Sequence, residues 1–286
     1  MQVTERIHAL KIQFKIPVAP DVMLERFVYV YLIFGRNIYL IDSGVAGCEN
    51  TIYEYIESQG RKPGEISALI LTHAHPDHIG AAMSIKEFTN CRLLVHQDEV
   101  AWVENTQKQF EERPVPGFST LVAGSTYVDE KLQDGDFPEL DEDVKLKIIH
   151  TPEHSRGSVS ILCESESALF TGDVLIAPGD LPIYENISDL ATSIHKLQAI
   201  SNINILLSSW ETPIEGSGRI KSRIDQSLQY LNKIHNTIRS ITNGNSIEPM
   251  ELCRQVVNQL GLPPAAVNPL VAKGFVSSLA IGRNCL

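Results

Sequence analysis

The amino-acid sequence predicts a mixed α/β domain followed by a helical tail. Three observations carry this expectation. Short β-rich apolar runs alternate with segments of helical spacing between residues 27 and 208, an order that builds sheets covered by helices. From about residue 216 the pattern is wholly helical. Several of the apolar runs also end in polar clusters that contain His or Asp.

Residues 27–41 read as two strands broken at Gly35-Arg36-Asn37, a hairpin pattern with Gly and Asn at the turn. Asp42-Ser43-Gly44 ends the second strand. Ile52, Tyr53 and Ile56 recur at helical spacing over 50–59, with Gly60 as the stop. A short buried strand follows at Ala68 to Thr72, then a helix near 79–89 and a strand at Arg92 to His96. Residues 103–135 carry Pro114, Pro116, Gly117, Gly124 and Gly135 among many charges. They read as a connecting insertion, helical at its start, that overhangs the active site.

Strands return at Val144 to His150, Val159 to Cys163 and Ala168 to Thr171, followed by a helix at Ile187 to Ile200 and a strand at Ile203 to Ser208. Ile220, Ile224, Leu228, Leu231, Ile234, Ile238 and Ile241 then form one apolar face of a long helix. Asn243-Gly244-Asn245 breaks it, and two more helices are expected over 248–260 and 265–280.

The chain of 286 residues holds 35 acidic against 24 basic side chains, a net charge of −11. That balance disfavours nucleic acid and anionic membrane as partners, because both require a basic footprint. The longest wholly apolar run, Phe27 to Phe34, is far short of the roughly 20 residues of a spanning helix. Glu5, Arg6, Lys11 and Lys15 interrupt the N-terminal segment, so no stretch of signal-peptide type is seen there. Cys48, Cys91, Cys163, Cys253 and Cys285 are odd in number, dispersed and without a Cys-x-x-Cys pair. They are expected to be reduced, mostly buried thiols of a cytoplasmic protein.

The chemistry concentrates at Thr72-His73-Ala74-His75-Pro76-Asp77-His78, just after a buried strand. Neutral imidazole suits zinc, iron or manganese, and a carboxylate adds charge. In an extended chain His73 and His75 project to the same side. The turn that follows swings Asp77 and His78 to a second position, so one loop can feed two ions roughly 3.5–4 Å apart. Two further polar clusters stand at strand ends: His150-Thr151-Pro152-Glu153-His154-Ser155-Arg156-Gly157-Ser158, and Phe170-Thr171-Gly172-Asp173.

Taken in this order, the three pieces resemble the metallo-β-lactamase superfamily over about residues 15–215. The likeness lies in His-x-His-x-Asp-His at His73 to His78, His154 within Thr-Pro-Glu-His-Ser-Arg-Gly-Ser, Asp173 in Thr-Gly-Asp, and Asp42 in Ile-Asp-Ser-Gly. The resemblance implies a four-layer αββα sandwich over residues 1–215, with a helical subdomain, open to a winged-helix-like arrangement, over 216–286. It implies one metal site formed by His73, His75 and His154, and a second served by Asp77, His78 and the bridging Asp173. Asp77 would also orient or deprotonate the attacking water, and Asp42 would support the site without ligating. One or two divalent ions are implied, zinc first, with iron or manganese as alternatives.

One departure is clear. Where the family usually has a last histidine after a strand, this chain reads Leu207-Ser208-Ser209-Trp210-Glu211-Thr212-Pro213. An indole nitrogen only donates and cannot ligate a metal. The second site is therefore expected to be weak, empty or tuned to another metal, with Glu211 or water filling the gap and Trp210 forming a pocket wall. His8, His96, His195 and His235 lack motif context and read as surface or packing residues. For His150, a supporting role behind His154 and plain strand-end packing both remain open.

The resemblance implies a hydrolase that cleaves a small or medium-sized ester, thioester, lactone or phosphoester with a metal-bound hydroxide. A glyoxalase II-like thioesterase would call on Lys221, Arg223, Lys233 and Arg239 of the tail for an anionic thiol carrier. A lactonase or β-lactamase-like enzyme would use 103–135 as a lid, and the negative charge disfavours a nuclease. The alternative from another class is a mononuclear iron sulfur dioxygenase of the same fold. A small-molecule substrate is expected, and the apolar faces of the tail suit packing on the core or on a second copy as a homodimer.

Overall fold

The computed structural model describes residues 1–19, 22–152 and 154–281. By the density of its internal contacts the chain divides into two units, neither continuous in sequence. The first comprises Met1–His150, Gly157–Gly172 and Leu206–Pro213, and the second Thr151–Arg156, Asp173–Ile205 and Ile214–Leu286.

The first unit begins with a long antiparallel pair, β1 (Ile7–Ala19) and β2 (Val22–Phe34), in which Ile7 faces Ile33 and Pro17 faces Met23. β3 (Ile38–Ile41) returns antiparallel to β2 across Gly35-Arg36-Asn37, as the hairpin pattern predicts. After α1 (Glu49–Ser58) come β4 (Ile66–Ile70), the short α2 (Pro76–Ile79), α3 (Ala82–Thr89) and β5 (Arg92–His96). Strands β3, β4 and β5 run parallel. Their continuous Ile, Leu and Val runs are buried, as a sheet covered on both faces requires.

Two expectations need correcting here. β1 lies outside the expected strands, yet Leu10, Ile12, Phe14 and Ile16 alternate with Lys11, Gln13 and Lys15, a plain period of two. Residues 103–135 are also more than an overhang. They hold part of α4 (Val100–Val103), then α5 (Thr106–Glu112), α6 (Phe118–Leu121) and β6 (Glu130–Leu132). β6 joins the sheet parallel to β5, and Leu121, Val122 and Val128 enter the apolar core.

The second sheet of this unit contains β7 (Leu146–His150), β8 (Val159–Cys163) and β9 (Ala168–Gly172), antiparallel in sequence order. β10 (Ile205–Ser208) adds beside β9. The two sheets meet through Tyr31, whose ring sits 5.2 Å edge-on from Phe170 and whose buried hydroxyl donates to the Ser208 carbonyl at 2.6 Å. Burial pushes that phenol well above its ordinary range. A main-chain bond from Val159 N–H to the Thr72 carbonyl, 2.8 Å, ties the sheets where β4 ends.

The second unit holds α7 (Ile187–Gln198), the two-residue β11 (Ile214–Glu215), α8 (Ser217–Thr242), α9 (Pro249–Leu260) and α10 (Pro269–Ser277). Asn186 caps α7 by accepting from the Ser188 and Asp189 amides. Of the predicted stripe on α8, Ile220, Ile224, Leu231, Ile234 and Ile238 are buried, while Leu228 and Ile241 are half-buried. Asn243 ends the helix in the left-handed region at φ 42°, where the Asn-Gly pair predicts the break. α8 packs on α7 and α9, and α10 on α9 and α7. Arg223 is buried and donates to the carbonyls of Leu175 and Ile176 at 3.1 and 3.3 Å. It is thus occupied within the unit rather than offered to an anionic carrier.

Cys48, Cys91, Cys163 and Cys253 are unpaired and buried. Burial pushes the Cys48 thiol up to about 12, which makes it inert at neutral pH. Cys285 lies outside the described residues. Among the described residues, no helix is long and apolar enough to cross a membrane.

Candidate metal centre

The His-rich stretch leaves β4 in extended form and turns into α2, with Pro76 in its first turn. Proline suits that place because its missing N–H is one that a helix start leaves unpaired anyway. His73, His75 and His78 are buried, and Asp77 is largely so, with its side chain 16% exposed. His73 Nε2 and His75 Nδ1 face each other at 2.9 Å. Asp77 Oδ2 is 3.6 Å from His78 Nε2.

The tautomers follow from the far side of the rings. Asp42, at the end of β3 with φ 62°, is buried and accepts Thr72 N–H at 2.7 Å and Thr72 Oγ1–H at 2.8 Å. Its Oδ2 also lies 2.8 Å from His78 Nδ1. A carboxylate only accepts, so His78 Nδ1 carries the proton and Nε2 the lone pair. Thr72 Oγ1, having donated to Asp42, accepts from His73 Nδ1 at 3.1 Å, which puts the His73 lone pair on Nε2.

The Ala74 peptide between His73 and His75 is gripped from both ends. Ala74 N–H donates to Glu99 Oε2 at 2.9 Å, and Gln109 Nε2 donates to the Ala74 carbonyl. Glu99 Oε1 in turn accepts Gly157 N–H at 2.7 Å. Both Glu99 and Gln109 are 1% exposed. Neither stands out in the sequence, because no spacing rule ties them to the motif they hold. The Trp102 ring lies 6.3 Å from that of His75, its Nε1–H fixed on Glu112 Oε2 at 2.7 Å.

His154 and Asp173 come together in the second unit, with His154 Nε2 3.3 Å from Asp173 Oδ2. His154 Nδ1 donates to the Ile183 carbonyl at 3.2 Å, so here too the lone pair sits on Nε2. Both side chains are mostly covered, at 9% and 8% exposure.

Comparison with known proteins decides the family. The sequence profile described as the metallo-beta-lactamase superfamily matches residues 23–207. The chain belongs to the metallo-β-lactamase superfamily.

Among its relatives is the probable metallo-hydrolase MJ0888 of Methanocaldococcus jannaschii, 35% identical over 60% of this chain and 80% of that protein. Another is the hydroxyacylglutathione hydrolase GloC of Haemophilus influenzae, 31% identical over 40% of this chain and 52% of that one. A solved structure, the metallo-beta-lactamase family protein TTHA1429 of Thermus thermophilus, shares the fold at TM-score 0.73 and 18% identity, covering 97% of this chain and 93% of its own. The chain is therefore a metal-binding hydrolase of the metallo-β-lactamase fold, with two sheets, helices and a helical C-terminal part.

The donor set fits a borderline divalent ion. Two imidazole nitrogens on one tetrahedral zinc stand about 3.3 Å apart, given Zn–N bonds of about 2.0–2.1 Å. The His73 and His75 nitrogens are already close to that spacing. Each of His73, His78 and His154 has its other nitrogen held by an oxygen, which fixes ring orientation as metal-bound histidines require. Asp42→Asn tests this arrangement without disturbing the backbone, since Asn tolerates a positive φ. One end of the amide becomes a donor and no longer matches Thr72 and His78 together. Metal affinity is expected to fall about 10–100-fold, read by competition with a chelator, while thermal unfolding of the variant shows the fold retained.

Trp210 follows β10, whose loop is pinned to β2 by Tyr29 N–H donating to the Ser209 carbonyl at 2.8 Å. Its ring lies 6.2 Å from Phe27 and 4.8 Å from the Arg26 guanidinium. Glu211 Oε1 accepts from Ser208 Oγ at 2.8 Å within the same turn.

Proposed function

We propose that this chain hydrolyses a small acyl compound: a thioester, ester or lactone. The observation that carries the reading is Trp102, a flat apolar ring set beside the ligand histidine His75. Trp210 with Phe27 supplies a second aromatic surface on the first unit. Such walls suit an acyl chain better than a polyanion, and the net charge of −11 points the same way. The activity in GloC's name, acting on an acyl-glutathione, supports the acyl class.

The resident ion is proposed to be zinc, held by His73, His75 and His154, with Asp77, His78 and Asp173 left to hold a second, weaker one. The assignment rests on the family's order of ligands and on the ring orientations within each unit. A bound divalent ion would acidify water and polarise the scissile carbonyl oxygen. The chain does the rest. Asp42 and Thr72 keep the His78 and His73 lone pairs on Nε2. Glu99 and Gln109 hold the Ala74 peptide so that both histidines stay aimed. Asp77, at the start of α2, takes the proton of the attacking water. Trp102 sets apolar surface beside His75.

The test is a metal analysis paired with a panel of thioesters, lactones, β-lactams and phosphodiesters. Zinc in the purified protein and turnover of a thioester or lactone at least about a hundredfold above any phosphodiester are expected. Preferred cleavage of phosphodiesters would overturn the reading, as would iron with oxygen uptake on a persulfide. In the same assay Trp102→Ala raises KM about tenfold with kcat little changed, the mark of lost uniform binding.

A further inference from the structure

Outside the ligand motifs the first unit carries another cluster of metal-binding side chains. His96 ends β5, Asp98 follows it in the turn before α4, and His150 ends β7. One ligand atom from each lies within 4.8 Å of the other two. The two imidazoles stack face to face, 4.2 Å between centroids and 8° between planes. Asp98 Oδ2 is 3.7 Å from His96 Nδ1.

We propose that His96, Asp98 and His150 form a separate binding site for a borderline divalent cation such as Zn²⁺. Two imidazoles and one carboxylate are a sound donor set for such an ion, with a position left for water. The three donors differ in mobility in a useful way. His96 is 3% exposed and fixed in the fold. The Asp98 side chain is 51% exposed and turns with little cost. His150 is half-buried, and a turn of its ring brings a nitrogen to the ion beside His96.

The electrostatic setting favours a cation. Asp134 accepts the His150 main-chain N–H at 2.7 Å, and Asp98, Asp134 and Asp136 all act on His96. Burial and the neighbouring His150 nevertheless hold the His96 imidazole below its ordinary range, with those carboxylates opposing. Two imidazoles ringed by carboxylates are a setting that draws in a cation.

The location gives the site a purpose. Glu99 lies three residues beyond His96 and bonds both Ala74 and Gly157. A Cβ placed on Gly157 would stand 2.6 Å from Glu99 Cγ and 2.8 Å from His96 Nδ1. An ion joining the ends of β5 and β7 braces the two strands whose following residues carry that contact. It stiffens the support of the His73–His75 loop without touching its ligands.

The test uses the holoprotein after stringent dialysis, titrated with ZnCl₂ by calorimetry and followed by imidazole ¹⁵N shifts. One zinc-binding event that moves the His96 and His150 ring signals is expected. Asp98→Ala weakens that event at least about tenfold, and Asp98→Ala with His150→Gln removes it. The dialysis-resistant zinc content stays as in the wild type for Asp98→Ala, whose side chain is exposed and easily replaced. The proposal is overturned if no added event shifts the two rings. It is equally overturned if the event persists in Asp98→Ala at unchanged affinity, because the ion then sits on other ligands.

Discussion

Replacing His75 with alanine removes metal retention and turnover together. The side chain makes no cap for α2, so its loss leaves the helix start intact. What disappears is the nitrogen 2.9 Å from His73 Nε2. Loss of an outer hydrogen-bond partner already weakens a metal about 10–100-fold, and loss of a direct ligand weakens it further. We expect zinc content after dialysis to fall by more than about a hundredfold in affinity terms, and hydrolysis to fall with it. Circular dichroism and thermal unfolding separate this from collapse of the fold. A folded His75→Ala protein that turned over substrate at the wild-type rate would end the metal-hydrolase reading.

Gly80→Ala is the substitution expected to cost most in stability. Gly80 closes α2, directly after the ligand motif. A Cβ there would stand 2.2 Å from the Leu121 carbonyl oxygen, 2.4 Å from Val45 Cα and 2.6 Å from Ala46 N. All three are main-chain atoms, so no side chain can swing aside. The crossing is also hydrogen-bonded. Gly80 N–H donates to the Gly44 carbonyl at 2.8 Å, Ala123 N–H to the Gly80 carbonyl at 2.9 Å, and Ala46 N–H to the Leu121 carbonyl at 2.8 Å. Forcing these segments apart disturbs the loop after Asp42, the ligand helix and residues 121–123 at once. Overpacking of this kind costs about 3 kcal/mol or more. Denaturant unfolding measures it, and the metal-free protein is the proper reference, because bound metal adds its own stabilisation. A loss under about 1 kcal/mol would show that the crossing is looser than its distances imply.

Gly80 is held by contacts that local sequence spacing does not encode. The candidate motif at His73 to His78 was legible because its residue types are rare and closely spaced. His73 and His75 depend on local extended geometry, and Asp77 and His78 on the turn that Pro76 begins. The parallel strands β4 and β5 were legible because full burial demands unbroken apolar runs. β1 is equally legible in its alternation of Leu10, Ile12, Phe14 and Ile16 with polar residues. Glu99, Gln109 and Gly80 had no local signature. Each acts on a segment 25 or more residues away, and single-sequence spacing holds no record of such contacts. His96 and His150 likewise lie 54 positions apart by number and meet only because β5 and β7 end side by side.

The sequence by itself determined the hairpin of β2 and β3, the buried strands β4 and β5, the helical tail and the breaks at Gly60 and Asn243. All of these follow from backbone preference and side-chain chemistry over a few residues. Tertiary structure alone decided which nitrogen of each histidine holds the lone pair, since that depends on Asp42, Thr72 and the Ile183 carbonyl across the chain. It also decided that residues 103–135 hold the His73–His75 loop, through Gln109 on Ala74. And it decided that Arg223, one of four basic residues of the tail open to a substrate by sequence, is spent on main-chain carbonyls. The division is physical: local propensities act within a turn or a strand, while tautomer, aim and availability are set by groups brought together only when the chain folds.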